Sequence, residues 1–302
     1  MYTGGQPGAG KSRANERAAK ARPSLVPVIG DDLRQFHPDY ARLMREEPLS
    51  MPAATAQASG QWIGMAADYL RAQRSDVLIE TTLRSPEAMA QTISAFRQAG
   101  YVVELRVVAV PQEVSRLSTV ERYTRQVEDT GAGRWTPAAA HDEAYAKAAG
   151  TVEELIASGR VDRLVIEDRG GSVLLDRSYF GLRDRELSTV GRQAAGAVER
   201  VHALSGSTPD LLDTIRTVAT VDSREVAVRA WPHDGVRARA AADALADMVP
   251  RTVHHVRSLL SVSFPQSARA AVASTPGREA DTRAYCGLPP LRGRGKGNEL
   301  DR

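Results

Sequence analysis

Gly5-Gln6-Pro7-Gly8-Ala9-Gly10-Lys11-Ser12 fits the pattern G-x-x-x-x-G-K-[ST], and the reading of this stretch decides the fold. The glycines let backbone amides turn inward around a polyphosphate, and a helix N-terminus directly behind them adds its positive dipole end. In this reading Gly5, Gln6, Pro7, Gly8, Ala9 and Gly10 form the cradle and Lys11 reaches the β- and γ-phosphates. The Ser12 hydroxyl is then the protein's ligand to a Mg²⁺ that bridges those phosphates, so the implied ligand is ATP or GTP with magnesium. A glycine-rich turn ahead of a helix is the bland alternative. Lysine scarcity favours the phosphate reading: of 40 basic residues only four are lysine, namely Lys11, Lys20, Lys147 and Lys296.

A cradle of this kind follows a central buried strand, yet only Met1-Tyr2-Thr3 precede Gly4. The sequence therefore predicts that most of this strand is missing, either because the true start lies upstream or because the sheet lacks its central member. Downstream, short β-branched runs alternate with amphipathic stretches, which argues for helices packed on a mostly parallel sheet. Predicted strands cover residues 25–29, 76–80, 102–110, 164–167 and 173–175. Predicted helices cover residues 11–22, 37–47, 56–74, 86–99, 112–128 and 137–158. Ser85-Pro86 and Thr136-Pro137 each supply an N-cap followed by proline at the first helical position. Pro27 cannot donate to a ladder, so its strand belongs at an edge or an end.

Beyond residue 180 helical periodicity recurs at 184–203, 209–218 and 235–248, followed by a Gly-, Pro- and Arg-rich stretch at 266–302 with the composition of a disordered tail. The expected architecture is an α/β, three-layer α/β/α P-loop NTPase core at residues 1–180 with a mostly parallel sheet. A C-terminal helical extension at 181–265 and a tail at 266–302 complete it. His254-His255 read as surface or packing histidines, and Arg292-Gly293-Arg294-Gly295-Lys296 as a solvated run.

Composition narrows the function classes. Residues 1–180 carry 22 basic and 23 acidic side chains, so the formal net charge of +3 arises from the C-terminal part and gives no nucleic-acid-binding balance. No apolar run approaches the roughly 20 residues of a membrane span, so no membrane partner is expected. The lone cysteine, Cys286, makes no internal disulfide, and no basic and apolar signal region opens the chain, which together read as cytoplasmic.

The second run with chemistry is Gly30-Asp31-Asp32-Leu33-Arg34-Gln35-Phe36-His37-Pro38, at the carboxyl end of the predicted strand 25–29, where ligands of open α/β sheets bind. A carboxylate there can take the proton of a hydroxyl that attacks a γ-phosphate. The alternatives are helix capping for either aspartate and a helix start for His37-Pro38.

Together with the P-loop, this run resembles the zeta toxin family, P-loop kinases of bacterial toxin–antitoxin systems that phosphorylate the 3′-hydroxyl of UDP-N-acetylglucosamine. Three more segments carry the resemblance in order: Glu80-Thr81-Thr82-Leu83-Arg84, similar to the family's E-x-T-x-R sugar-binding segment; Ala109-Val110-Pro111 followed by Glu121-Arg122-Tyr123; and Gly133-Arg134-Trp135-Thr136-Pro137 ahead of His141-Asp142. The resemblance covers residues 4–142. It implies Asp31 as the catalytic base, six positions before His37, with Asp32 the neighbour to test. It implies Glu80, Thr82 and Arg84 as sugar-binding residues, and Arg122 and Arg134 as the arginines on the transferring phosphate. Planar guanidinium groups suit the spread charge of such a transition state. It further implies ATP with Mg²⁺, UDP-N-acetylglucosamine as substrate and a small helical antitoxin as partner. Two other readings use the same residues: a P-loop kinase for another small-molecule hydroxyl, and a degenerate nucleotide-binding module without turnover.

Overall fold

The structure is a computed structural model and describes residues 1–203 together with Arg239 and Asp243. In chain order the elements are β1 (Tyr2–Gly4), α1 (Lys11–Ala21), β2 (Val26–Val28), α2 (Gly30–Leu33), a 3-10 turn (Arg34–Phe36), α3 (Tyr40–Glu46), α4 (Met51–Ala54), α5 (Ala56–Ala72), β3 (Val77–Thr81), α6 (Pro86–Gln98), β4 (Glu104–Val108), α7 (Gln112–Thr130), α8 (Ala138–Ala157), β5 (Arg163–Glu167), β6 (Val173–Ser178) and α9 (Asp184–Ala203). One six-stranded sheet runs in the order β2-β3-β1-β4-β5-β6. Its first five strands are parallel, and β6 returns antiparallel to β5. This is the expected α/β class, in which the phosphate-binding loop opens at the carboxyl end of a central strand.

That central strand corrects one of the two alternatives, a sheet without its central member. It is not missing: Tyr2–Gly4 lies between β3 and β4, with Tyr2 opposite Ile79 on one side and Leu105 on the other. Both flanking strands are five residues long and pair with each of its three positions, and all three residues are buried. Pro27 sits in edge strand β2 in register with Leu78, at the margin where its missing N–H costs no ladder bond.

The two faces of the sheet differ. On one, Tyr2, Val77, Ile79, Leu105, Val107, Leu164 and Ile166 meet α6, α8 and α9 in the main core. The helix expected at 184–203 belongs to this face, where Leu187, Ala194, Ala195 and Val198 are buried in the same cluster. The other face carries Glu104 and Arg106 of β4, and Arg163 and Glu167 of β5 with Val165 between them. Glu104 accepts from Arg22 at 3.1 Å and Arg106 at 3.2 Å, and Glu167 from Arg17 at 2.7 Å and Arg106 at 2.6 Å. Both carboxylates are buried, so each is held by more than one guanidinium rather than left uncompensated.

Of the two capping devices, Ser85 behaves as expected: its hydroxyl accepts from the Ala88 N–H at 3.3 Å, with Pro86 opening α6. Thr136 does not cap α8. The N-cap position falls on Pro137, and the Thr136 hydroxyl accepts a 2.8 Å bond from Arg122 Nη2 instead. Among the described residues no helix is long and apolar enough to cross a membrane. The helix expected at 209–218, the histidines at 254–255, and the tail with Cys286 and the 292–296 run lie outside the described residues, as does the helix expected at 235–248 apart from Arg239 and Asp243, which are helical.

Candidate active site

The cradle is assembled by contact with its surroundings. Gly8 has a left-handed φ of +80°, and a Cβ there would stand 2.0 Å from the Ser115 carbonyl oxygen, so the first turn of α7 lies directly on the loop. Gln6 and Ala9 are fully buried behind it. Gln6 Nε2 donates to the Val110 carbonyl at 2.9 Å and to Ser115 Oγ at 3.2 Å. Lys11, also buried, donates through Nζ to the carbonyls of Gly5 at 2.9 Å and Gln6 at 3.2 Å, and lies 3.8 Å from Glu80 Oε1. Burial pulls its ammonium pKa below the usual lysine range, against the opposing pull of Glu80 and Asp31.

Over the loop opens a cleft of about 880 Å³, lined among others by Gly8, Gly10, Lys11, Ser12, Asp31, Glu80, Thr82, Arg84, Arg122 and Arg134. Residues separated by more than a hundred positions thus converge on one cavity, which is the arrangement expected of a ligand site at the carboxyl edge of a parallel sheet. Gly5, Gln6 and Ala9 stand behind the loop rather than in the cavity wall.

Asp31 lies in α2, directly after edge strand β2. Its Oδ1 accepts from Arg34 Nε at 3.0 Å, and its Oδ2 is 3.2 Å from Arg134 Nη1. Burial opposes ionisation of this carboxyl, but the guanidiniums of Arg134 and Arg34 outweigh it and hold the pKa below the ordinary carboxylate value. Asp31 is therefore a carboxylate at neutral pH.

Arg122 projects from α7 and donates to Thr136, which ties helix to loop. Gly133 allows the loop to lie flat on α7, since a Cβ there would meet the Tyr123 carbonyl oxygen at 2.6 Å. Gln126 Oε1 then accepts from the Arg134 backbone N–H at 2.9 Å and aims that side chain into the cleft. Burial, and next the neighbouring Arg134, push the Arg122 pKa down to about 10, despite Asp31 and Glu80 nearby. The Nε atoms of both arginines are buried without a hydrogen-bond partner. Four cations, Lys11, Arg34, Arg122 and Arg134, face the two carboxylates Asp31 and Glu80 here, an excess of positive charge that suits a polyphosphate.

At the opposite wall Asn15 Nδ2 donates to Glu80 Oε2 at 2.9 Å. Arg84 Nε donates to Thr82 Oγ1 at 3.1 Å and lies 3.7 Å from Glu143 on the surface. His37 does not line the cleft; its Nδ1 accepts from the Asp39 N–H at 3.1 Å, in keeping with a helix start.

Several residues of this site were not singled out from the sequence. Asn15 is four residues from Lys11 on α1, Arg34 three from Asp31, and Gln126 four from Arg122 on α7. Helical spacing from a suspected residue was the signal that could have found them. Arg169, in the turn after β5, bonds Ser118 Oγ, and its Cγ stands 3.0 Å from where a Cβ on Gly10 would be. No local pattern marks it.

A glycine-rich loop between a central parallel strand and a helix, with lysine and serine at its end, defines the P-loop NTPase class of α/β proteins. Within that class the zeta toxin family model matches residues 2–179, and the chain belongs to this family. It is 31% identical over 144 residues to Toxin PezT of Streptococcus pneumoniae, an alignment covering 47% of this chain and 57% of PezT. It is 29% identical over 170 residues to Toxin zeta of Enterococcus hirae, covering 56% of this chain and 59% of that protein. The chain thus spans less than two thirds of the length of these curated relatives. A solved structure from the PezAT chromosomal toxin–antitoxin system of S. pneumoniae superposes with a TM-score of 0.51 at 24% identity, over 66% of this chain and 86% of that one, and shows the same fold.

Proposed function

We propose that the chain is an ATP-dependent kinase that transfers the γ-phosphoryl group of ATP to the 3′-hydroxyl of UDP-N-acetylglucosamine. The observation that carries the reading is the convergence of an ionised carboxylate, Asp31, with Lys11, Arg122 and Arg134 in one cleft above a phosphate-binding loop. Family membership supports both the reaction class and the nucleotide sugar.

Each group has a task. The amides of residues 5–12 and the Lys11 ammonium hold the β- and γ-phosphates, for which Lys11 exchanges the Gly5 and Gln6 carbonyls for phosphate oxygens. Asp31 accepts the proton of the sugar hydroxyl as its oxygen bonds to the γ-phosphorus and the β–γ P–O bond breaks, leaving ADP. Arg122 and Arg134 offer planar donors to the equatorial oxygens, where charge spreads in a loose transition state. Glu80, steadied by Asn15, together with Thr82 and Arg84, orients the acceptor.

Mg²⁺ typically takes one or two protein oxygens plus phosphates, and the Ser12 hydroxyl at the cleft fits such a site. When bound with the nucleotide, the ion neutralises phosphate charge. Among the described residues no group of three His, Cys, Asp or Glu could hold a metal unaided, so the nucleotide would supply most of its ligands. By analogy with the PezAT system we also infer a protein antitoxin as partner.

³¹P NMR of the protein with Mg-ATP and UDP-N-acetylglucosamine tests the reading. A new phosphomonoester resonance, abolished in Asp31→Ala, is the expected result. ATP binding without a new resonance in the wild-type protein overturns the acceptor assignment.

A further inference from the structure

Behind the phosphate-binding loop lies a chain of polar groups that the reaction above does not use, buried at Gln6, Ser115 and His141 and reaching the surface at Asp142. Ser115 Oγ is 2.8 Å from His141 Nε2, and His141 Nδ1 is 2.9 Å from Asp142 Oδ1. Ser115 also accepts from Gln6 Nε2 at 3.2 Å, so the line runs from the loop through α7 into the first turn of α8. Its far end is anchored twice more: Asp142 Oδ1 accepts from Gln112 Nε2 at 3.1 Å and from Arg116 Nη2. Serine, histidine and aspartate in this order resemble a hydrolytic triad, but Ser115 is 0% and His141 1% exposed, so no substrate reaches the hydroxyl.

The donor and acceptor roles follow from chemistry. An ionised carboxylate only accepts, so His141 Nδ1 must carry the proton that faces Asp142. Burial holds the imidazole pKa below its ordinary value in spite of Asp142, which leaves the ring neutral and Nε2 an acceptor. Burial also opposes ionisation of Asp142, but hydrogen bonds from Arg116, His141 and Gln112 outweigh it and hold its carboxyl at about 2. The Ser115 hydroxyl has two competing carbonyls, Pro111 at 3.3 Å and Gln112 at 3.0 Å. Pointing at either would leave its lone pair facing that of Nε2, so the neutral ring draws the hydroxyl to itself. A Ser115 lone pair is then turned to Gln6. Every bond in the line runs one way, from Gln6 through Ser115 and His141 to Asp142.

We propose that His141 is a positioning residue that locks the phosphate-binding loop from behind, through Ser115 and Gln6, and so couples the loop to the helices that frame Arg122 and Arg134. The contact of Gly8 with the Ser115 carbonyl makes the coupling doubly close, since the same residue touches the loop by backbone and by side chain. The inference rests on the loop being a nucleotide site, as proposed above, but not on which molecule accepts the phosphate.

Two substitutions separate the halves of the imidazole. His141→Gln places an amide oxygen near the position of Nε2 and keeps the Ser115 link, whereas His141→Asn mimics Nδ1 and keeps only the Asp142 link. The measurements are equilibrium binding of a fluorescent ATP analogue and amide hydrogen exchange of residues 5–12 without nucleotide, on full-length protein checked for folding by near-UV circular dichroism. Loss of one buried hydrogen bond corresponds to roughly tenfold weaker binding. His141→Asn and Ser115→Ala are expected to show that loss and faster loop exchange, while His141→Gln retains most of the affinity and protection. Equal behaviour of His141→Asn and His141→Gln, or wild-type affinity in all three variants, overturns the lock while leaving the nucleotide site standing. A wild-type protein that binds no ATP analogue removes both.

Discussion

The cradle and the arginine clamp face each other across one cleft, yet they are built by opposite means. The cradle is contiguous and made largely of backbone: Lys11 caps its carbonyls and Gln6 pins it from behind through Nε2, with only the Gln6 Oε1 left unpaired. The clamp is drawn from α2, α7 and the 131–137 loop, is made of side chains, and is incompletely satisfied, with the Nε atoms of Arg122 and Arg134 unpaired and Arg134 resting on Asp31. Backbone geometry survives without a ligand because sterics hold it. Of the clamp's crowded cations, Arg134 is paired with Asp31, the carboxylate proposed as the base. On the proposed function, the difference separates the two tasks in this fold: the binding loop is held by sterics and backbone bonds, whereas the residues assigned to turnover are held by the Arg134–Asp31 ion pair.

The sharpest way to break the comparison is to remove the one side chain that serves the cradle directly. Lys11→Ala deletes both the loop's internal tie and the phosphate's main cation, and turnover is expected to fall by roughly 10²–10³-fold or more, read in a coupled ADP-release assay. A Lys11→Ala protein with near-normal turnover would mean that the loop does not hold the nucleotide.

Next in size come the clamp residues, whose loss is expected to lower kcat by about 10²-fold while nucleotide affinity falls less. They also differ from each other. Arg134 is the stronger of the two in depressing the Asp31 pKa, so Arg134→Gln should raise it toward the ordinary value, and Arg122→Gln should raise it less. A raised pKa means that, on acidification, Asp31 is protonated at higher pH than in the wild type. A ¹³C NMR titration of the carboxyl carbon measures the order directly, and the reverse order would place Arg122 rather than Arg134 against the base.

The smallest effect is expected at the rim. Arg84 and Glu143 form an exposed pair at 3.7 Å, each more than a third accessible, so Arg84→Ala should change unfolding free energy by no more than about 0.5 kcal/mol. Its mark should instead be a raised KM for the sugar with kcat little altered. Denaturant titration and steady-state kinetics read the two separately, and a large stability loss would assign Arg84 a structural role.

The same contrast governs how much the sequence revealed. The cradle was legible because its eight residues are adjacent and lysine is rare elsewhere in the chain. Strands β3, β4 and β5 were legible because parallel strands buried on both faces read as β-branched runs. Strand β1 was underestimated, since three residues carry no periodicity and their pairing depends on β3 and β4, far along the chain. For the same reason α2, four residues long, left no pattern. Thr136 was misread as a cap because a hydroxyl before proline fits that role locally, while the guanidinium that claims it comes from α7. The clamp residues Arg122 and Arg134 followed from the family resemblance alone. Their supports Gln126 and Arg34, and the Ser115–His141 line, depend on proximity that only the fold creates.

The charges of β4 and β5 have a further meaning for how the sheet assembles. A shift of β4 by one residue against its neighbours would turn Glu104 and Arg106 into the main core and expose Leu105 and Val107 on the ionic face. Because Glu167 and Glu104 are matched by Arg17 of α1 and Arg22 just after it as well as by arginines of the strands, the slipped arrangement forfeits both sets of partners at once. The network is thus a keyed joint, admitting one alignment of the strands that carry the loop and rejecting its nearest misfolded competitor.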